Sequence, residues 1–327
     1  MQIDFMTVLM AVIALMVLAV PGFILTKLKM LPESTGSALS TIVLYGCQPV
    51  LVFMSFQENY RDDIALNMLY VAILSLAIHI IMFGIISLLI RNKSKSAKVK
   101  TARYACLFSN CGYMGLPFLK LVFEGSNEII IYAAIVIAIF NILNWTLGIY
   151  MLTGDKKEIS FKKIVFNPTI LGIVLGALYF FVVGTPIVDL LTPKTVTDNM
   201  VDKIMESVNI IGDLVTPLAL TVIGIRLANV RFKDLFINKW AYIVLLMKLV
   251  VMSIITILAV AFLPFNPIVK YVMFFLLSMP SATSTTMFAI KFGGDGDSAS
   301  VFVLLTTILS IITIPLMYLL MSALVPM

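Results

Sequence analysis

Charge is scarce in this sequence. Asp, Glu, Lys and Arg together make up 12% of its 327 residues, while 61% are hydrophobic. A soluble domain carries about 25% charge, and no stretch long enough to form one is left between the apolar runs. The chain therefore reads as an integral membrane protein. There is one histidine and there are three cysteines. Cys47, Cys106 and Cys111 all lie in apolar segments, and an odd number there argues against a disulfide framework; no zinc or haem spacing occurs. The sequence has no nucleophile–base pair, metal-ligand cluster or phosphate-cradling glycine loop, so neither an enzyme nor a cofactor is expected. Gly293-Gly-Asp-Gly-Asp297 lacks the twelve-residue pattern and terminal glutamate of a calcium loop and reads as a tight turn. The net charge of +6 is spread over short segments between apolar runs, the pattern of membrane orientation signals and not of nucleic-acid binding. The basic 91–103 segment reads as a solvated loop that also meets anionic lipid headgroups. No basic region precedes the first apolar run, which is long enough to span, so it reads as a first helix and not a cleaved leader.

What the sequence has is runs of about 20 apolar residues, the length that crosses a bilayer. They predict ten spans, near 5–26, 37–56, 64–90, 102–122, 129–152, 167–184, 204–226, 239–263, 268–291 and 298–325. Seventeen of the 23 lysines and arginines fall in connections on one side, including Lys93, Lys95, Arg226, Arg231 and Lys233. Arg61, Lys120, Lys194, Lys203 and Lys270 fall on the other, and Lys248 lies inside span 8. The positive-inside rule then puts both termini outside the cell membrane.

Prolines hint at duplication. Pro21 and Pro186 end spans 1 and 6, Gln48-Pro49 and Thr216-Pro217 break spans 2 and 7, and Pro117 and Pro280 break spans 4 and 9. The three pairs are separated by 165, 168 and 163 residues. A repeat of five helices has an odd number of crossings, so the second copy must be inverted in the bilayer. The expected fold is an all-α polytopic membrane protein of ten transmembrane helices as a 5+5 inverted repeat, with broken, crossing helices 4 and 9. Its units are 1–152, a linker at 153–166 and a second repeat at 167–327. Interrupted helices at matching positions of inverted repeats point to a secondary transporter's binding site.

Within span 4, Asn110-Cys-Gly-Tyr-Met-Gly-Leu-Pro117 interrupts an apolar run with two glycines and a proline, and Met279-Pro280-Ser281 interrupts span 9. Each break offers free amides and the positive dipole end of the following half-helix, an environment suited to a carboxylate. Asn110, Gly112, Gly115, Pro117, Pro280, Ser281 and Thr283 are the candidate substrate contacts. Ser284, Thr285 and Thr286 either add hydroxyl donors or bond back to their own helix. Asn141 and Asn144 on span 5 are three apart and share a face; they reach the substrate or fasten span 5 to a neighbour. Three ionisable residues inside spans are functional candidates. Lys248 sits roughly 14 Å along span 8 at the α-helical rise; it faces an anion or snorkels. Asp213, before Pro217, is the deepest carboxylate or a residue of the outer mouth. His79 is a coupling candidate or a packed core histidine.

The Asn110–Pro117 stretch, Thr216-Pro-Leu-Ala-Leu-Thr-Val-Ile-Gly224 and Met279-Pro-Ser-Ala282 together resemble the auxin efflux carrier family, which includes plant PIN carriers and bacterial malate and malonate permeases. The resemblance covers essentially the whole chain. It implies a fold like that of bile acid sodium symporters (NhaA-like). Helices 1, 2, 6 and 7 would form a scaffold, often dimeric, and helices 3–5 and 8–10 a moving transport domain, with substrate at the crossing of 4 and 9. The short linker at 153–166 lacks the long insert of plant members and favours a bacterial organic-acid carrier. The reading is therefore a secondary transporter of small organic anions by elevator-type alternating access, coupled to a proton, to sodium or to neither. Two competing readings are a sodium-coupled symporter of a bulkier amphipathic acid and a non-transporting membrane sensor.

Overall fold

The structure, a computed structural model, describes residues 3–91, 96–124, 126–191, 198–229 and 238–325. It is built of helices. In chain order the main ones are α1 (Phe5–Lys27), α2 (Thr35–Ser55), α3 (Asp62–Leu89), α4 (Ala97–Leu107), α5 (Cys111–Val122), α6 (Asn127–Thr153) and α7 (Pro168–Val182). There follow α8 (Asp198–Asp213), α9 (Val215–Asn229), α10 (Lys239–Ala261), α11 (Pro267–Ser278), α12 (Ser284–Lys291) and α13 (Gly296–Leu324). Among the described residues, seven helical stretches are long and apolar enough to cross a membrane, with α8 and α9 counted as one. Lys93, Lys95, Lys194, Arg231 and Lys233, which contribute to the charge asymmetry, lie outside the described residues.

Helix starts follow from short polar side chains. Asp4 accepts from the Thr7 amide at 2.6 Å, Asn167 from Ile170, Asn238 from Trp240, Asn266 from Ile268 and Asp295 from Ser298. Each side chain satisfies an amide that the first turn would leave free. After Asn167 and Asn266 comes a proline at the first helical position, where its missing donor costs nothing.

Three of the expected proline breaks are corrected. Pro21 does not end the first span, because α1 continues through it to Lys27. Pro49 does not break α2: the preceding turn, Ile42–Cys47, widens to a π-helix, with the Gln48 amide donating five residues back to Val43. A wide turn accommodates a proline ring without ending the helix. Pro117 likewise lies inside the second half-helix, behind the π turn Cys111–Gly115, so the interruption in span 4 falls earlier, at Phe108–Asn110. Pro217 sits in the first turn of α9, just past the joint with α8 at Leu214. Span 9 is interrupted at Met279–Thr283, around Pro280.

The closest backbone approach joins α1 to α9, which run along each other for much of their length. A Cβ on Gly224 would collide with the Ala19 carbonyl oxygen, and one on Gly22 with the Thr221 carbonyl oxygen. Small residues that let backbones touch are the usual basis of helix association in lipid, where burial from water gives no driving force. Gly224→Ala should therefore push α1 and α9 apart and destabilise the protein by about 1–3 kcal/mol, the cost of overpacking. Thermal unfolding of the detergent-solubilised variant measures this, and an unchanged midpoint would remove α1–α9 contact as the source of stability.

Candidate functional site

The two interruptions meet. Ser109 and Ser281 form an isolated antiparallel bridge, in which the Asn110 amide donates to the Pro280 carbonyl at 2.8 Å and the Ala282 amide to the Phe108 carbonyl at 2.9 Å. Side chains extend the pairing. The Ser281 hydroxyl donates to the Ala105 carbonyl at 2.9 Å, the Ser109 hydroxyl to the Leu277 carbonyl at 3.0 Å, and Thr306 of α13 accepts from the Ser281 amide at 3.2 Å. Ser109, Asn110, Ser281 and Thr283 are all buried. Two extended segments supply one another's backbone partners where neither helix can, as unwound chain at membrane depth requires.

Lys248 belongs to this crossing. Its side chain is fully buried, and its amine donates to the Ser109 hydroxyl and, at 2.9 Å, to the Leu277 carbonyl near the end of α11. It does not snorkel. A cationic group at that helix end is placed to complement the free carbonyls there. Lys248 itself lies in a π turn, Leu246–Val251. Three other such turns are present among the described residues, and each carries or adjoins a polar residue of interest. Ile42–Cys47 precedes Gln48, Cys111–Gly115 follows Asn110, and Asn144–Gly148 begins at Asn144. A π turn redirects side chains locally and is often found at functional sites.

The other expected residues divide. Gly112 and Gly115 allow close approach: a Cβ on Gly112 would stand 3.0 Å from the Gln48 amide nitrogen, and one on Gly115 would stand 2.7 Å from Leu276. Gln48 of α2 is thereby brought beside the first break. The Asn110 side-chain nitrogen, Nδ2, is buried and has no partner among the described residues, unlike its backbone amide. Asn144 is buried and accepts from the Tyr104 hydroxyl of α4, which fastens α6 to the residues leading into the break. Asn141 bonds its own helix at the Ile137 carbonyl. His79 is buried, with Nδ1 2.7 Å from the Ser75 carbonyl one turn away and its ring 6.4 Å from that of Phe108. Of the two readings of Asp213, the shallow one fits: its carboxylate is exposed and paired with Lys120 at 2.8 Å.

Two cavities are lined in part by residues already named. One of about 590 Å³ is lined by Gln57, Lys120, Glu124, Asn209 and Asp213. The other, about 870 Å³, runs from Lys98, Lys239 and Asp297 inward to Arg226, Thr283 and Thr307, and so reaches the residue that follows the second break. Sequence reasoning overlooked Ser109, Tyr104 and Arg226. Ser109 sits beside a singled-out asparagine in a run otherwise read for its glycines, and Arg226 looks like one more charge of a connecting loop. Among the described residues no group of His, Cys, Asp and Glu is placed to hold a metal ion.

A family described as membrane transport protein matches residues 7–318. The chain is 26% identical over 321 residues to a protein of Rhizobium meliloti (strain 1021) named "Putative malonate transporter", covering 93% of each. It is 25% identical over 314 residues to an "Uncharacterized transporter" of Methanothermobacter thermautotrophicus, covering 93% of this chain and 95% of that one. A third relative, an uncharacterized transporter of Methanocaldococcus jannaschii, is 22% identical over 310 residues, covering 93% of this chain and 96% of that one.

Removing the amine at the crossing tests its structural weight. Lys248→Ala deletes a fully buried side chain and two hydrogen bonds, and should cost about 2 kcal/mol or more through the cavity and the lost bonds. Ser109→Ala, which keeps the volume, should cost about 1 kcal/mol. Melting of both variants in detergent reads the difference, and equal midpoints for the two would contradict this ranking.

Proposed function

The chain belongs to the membrane transport protein family, and from that premise we propose that it is a secondary transporter of small organic anions working by alternating access. The observation that carries the reading is the pairing of two interrupted helices at Ser109 and Ser281. Broken helices that cross in the membrane offer amide donors and positive dipole ends to a carboxylate. In this reading Asn110, with its buried and unpartnered amide group, and Thr283, at the inner end of the larger cavity, contact the substrate. Ser281 and Pro280 shape the site from the second break, while Gly112, Gly115 and Pro117 shape it from the first. Asn144 and Asn141 support it from α6.

The ten predicted spans, taken as two inverted five-helix repeats, give the moving parts. The first, second, sixth and seventh spans form a scaffold suited to homodimer contact, and the rest form a transport domain that carries the crossing in an elevator-type motion. Both termini lie outside the cell membrane, so the larger cavity, with Lys98 and Lys239 at its rim, opens to the cytoplasm. The name of the Rhizobium meliloti relative supports malonate-like substrates, as does the positive charge about that cavity. Lys248 engages oxygen donors that a sodium ion at the crossing would need, which favours a proton, or no ion, over sodium as the coupling partner.

Uptake of labelled malonate into proteoliposomes tests the reading. Asn110→Ala should lower the initial rate roughly tenfold, as expected for loss of one hydrogen bond to a charged group, and Pro280→Ala, which frees the backbone of the second break, should lower it as well, in variants that melt like the wild type. Wild-type rates in either substitution would sink the crossing as the substrate site. Replacing sodium by choline should leave uptake unchanged; a sodium requirement would instead support the symporter reading.

A further inference from the structure

Arg226 has more donors than the described residues are seen to use. It lies in the last turn of α9, partly buried, and one of its terminal nitrogens donates to the backbone carbonyl of Thr283 at 2.6 Å. No carboxylate among the described residues lies within ion-pair distance of it. An unneutralised guanidinium inside a membrane protein is costly to keep and commonly faces a ligand or an aqueous path. Here it lines the cavity of about 870 Å³ that reaches Thr283, together with the hydroxyls of Thr286, Ser300 and Thr307. Among the described residues the other charged ones lining that cavity are Lys98, Lys239 and Asp297, so there basic groups outnumber acidic ones and the potential favours an anion.

We infer that Arg226 is a specificity-determining residue that holds the second carboxylate of a short dicarboxylate. This rests on the transport reading and deepens it. The bond to Thr283 fixes one edge of the planar guanidinium and leaves further N–H donors, whose fork matches a carboxylate bidentately. The first carboxylate occupies the crossing, where the unpartnered Asn110 Nδ2 is a neutral donor and the Lys248 amine is already engaged with Ser109 and Leu277. The second lies on the cavity side of Thr283, within the reach of Arg226. A monocarboxylate would leave the guanidinium unmatched, so the arrangement discriminates by number of charges.

The test is competition against labelled malonate uptake in proteoliposomes, with unlabelled malonate and monomethyl malonate as competitors. The ester keeps the size and removes one charge. Wild type should prefer malonate by about tenfold or more, the worth of one charge-assisted contact. Arg226→Gln should lose that preference chiefly by weakening malonate, and Arg226→Lys, which keeps the charge but not the fork, should retain part of it. A preference retained in Arg226→Gln overturns the inference and leaves the transport reading standing, as does a wild type that carries organic acids without preferring malonate over its ester. A parallel loss for both competitors, in Arg226→Gln or in Arg226→Lys should the first fail to fold, also overturns it, since that is the signature of a tether to Thr283 alone. Absence of organic-acid uptake by wild type overturns the transport reading itself.

Discussion

Everything near the centre of this protein depends on one requirement: peptide groups removed from water must find partners inside the fold. Where span 4 and span 9 lose their helices, they partner each other. The bridge between Ser109 and Ser281 supplies two backbone hydrogen bonds, and the serine hydroxyls and Thr306 take most of what is left nearby. The interruption in one helix is therefore tolerable because the other is interrupted opposite it. Neither could be repaired to a continuous helix without leaving the other's amide or carbonyl alone in an apolar surrounding.

That mutual dependence sets the chemistry. Lys248 binds both sides of the crossing through Ser109 and Leu277, and so ties α10 to it. Asn144 and Tyr104 tie α6 to the approach of the first break. Among the buried side-chain atoms left without a partner among the described residues is the Asn110 Nδ2 at the break, with the hydroxyls of Ser278, Ser284 and Thr285 near the second break, and Arg226 stands beside Thr283 with further N–H donors. A site that is rigid except for a few unused donors is the kind that recognises an anion without reorganising. The π turns at Ile42–Cys47, Cys111–Gly115, Asn144–Gly148 and Leu246–Val251 place these polar residues by locally altering the helical register.

The prolines show where reading residues in line goes astray. Pro280 marks its break correctly, since it lies in extended chain. Pro21, Pro49 and Pro117 do not, because a membrane helix can absorb a proline by widening a turn or by placing it early in a helical segment. The real interruption in span 4 lies at Phe108–Asn110, several residues before Pro117, in a stretch without glycine or proline. Its cause is the partner at Met279–Thr283, which is remote in sequence. Asp213 illustrates the same limit. A carboxylate in the middle of a predicted span is deep only if the helix is, and Asp213 stands exposed, paired with half-buried Lys120.

What the sequence determined alone was everything governed by local composition: long apolar runs that form helices, and the presence of chemistry-bearing residues within them. Those follow from the energetics of single segments in water and lipid. Only the tertiary structure decided which of those residues meet. Lys248 could have snorkelled, Ser109 carried no signal, and Arg226 counted as one loop charge among many. Their roles come from contacts with residues far off in the chain, such as the 139 residues between Ser109 and Lys248. Hydrogen bonds of that range are chosen by how helices pack, and packing is a property of the whole fold rather than of any one segment.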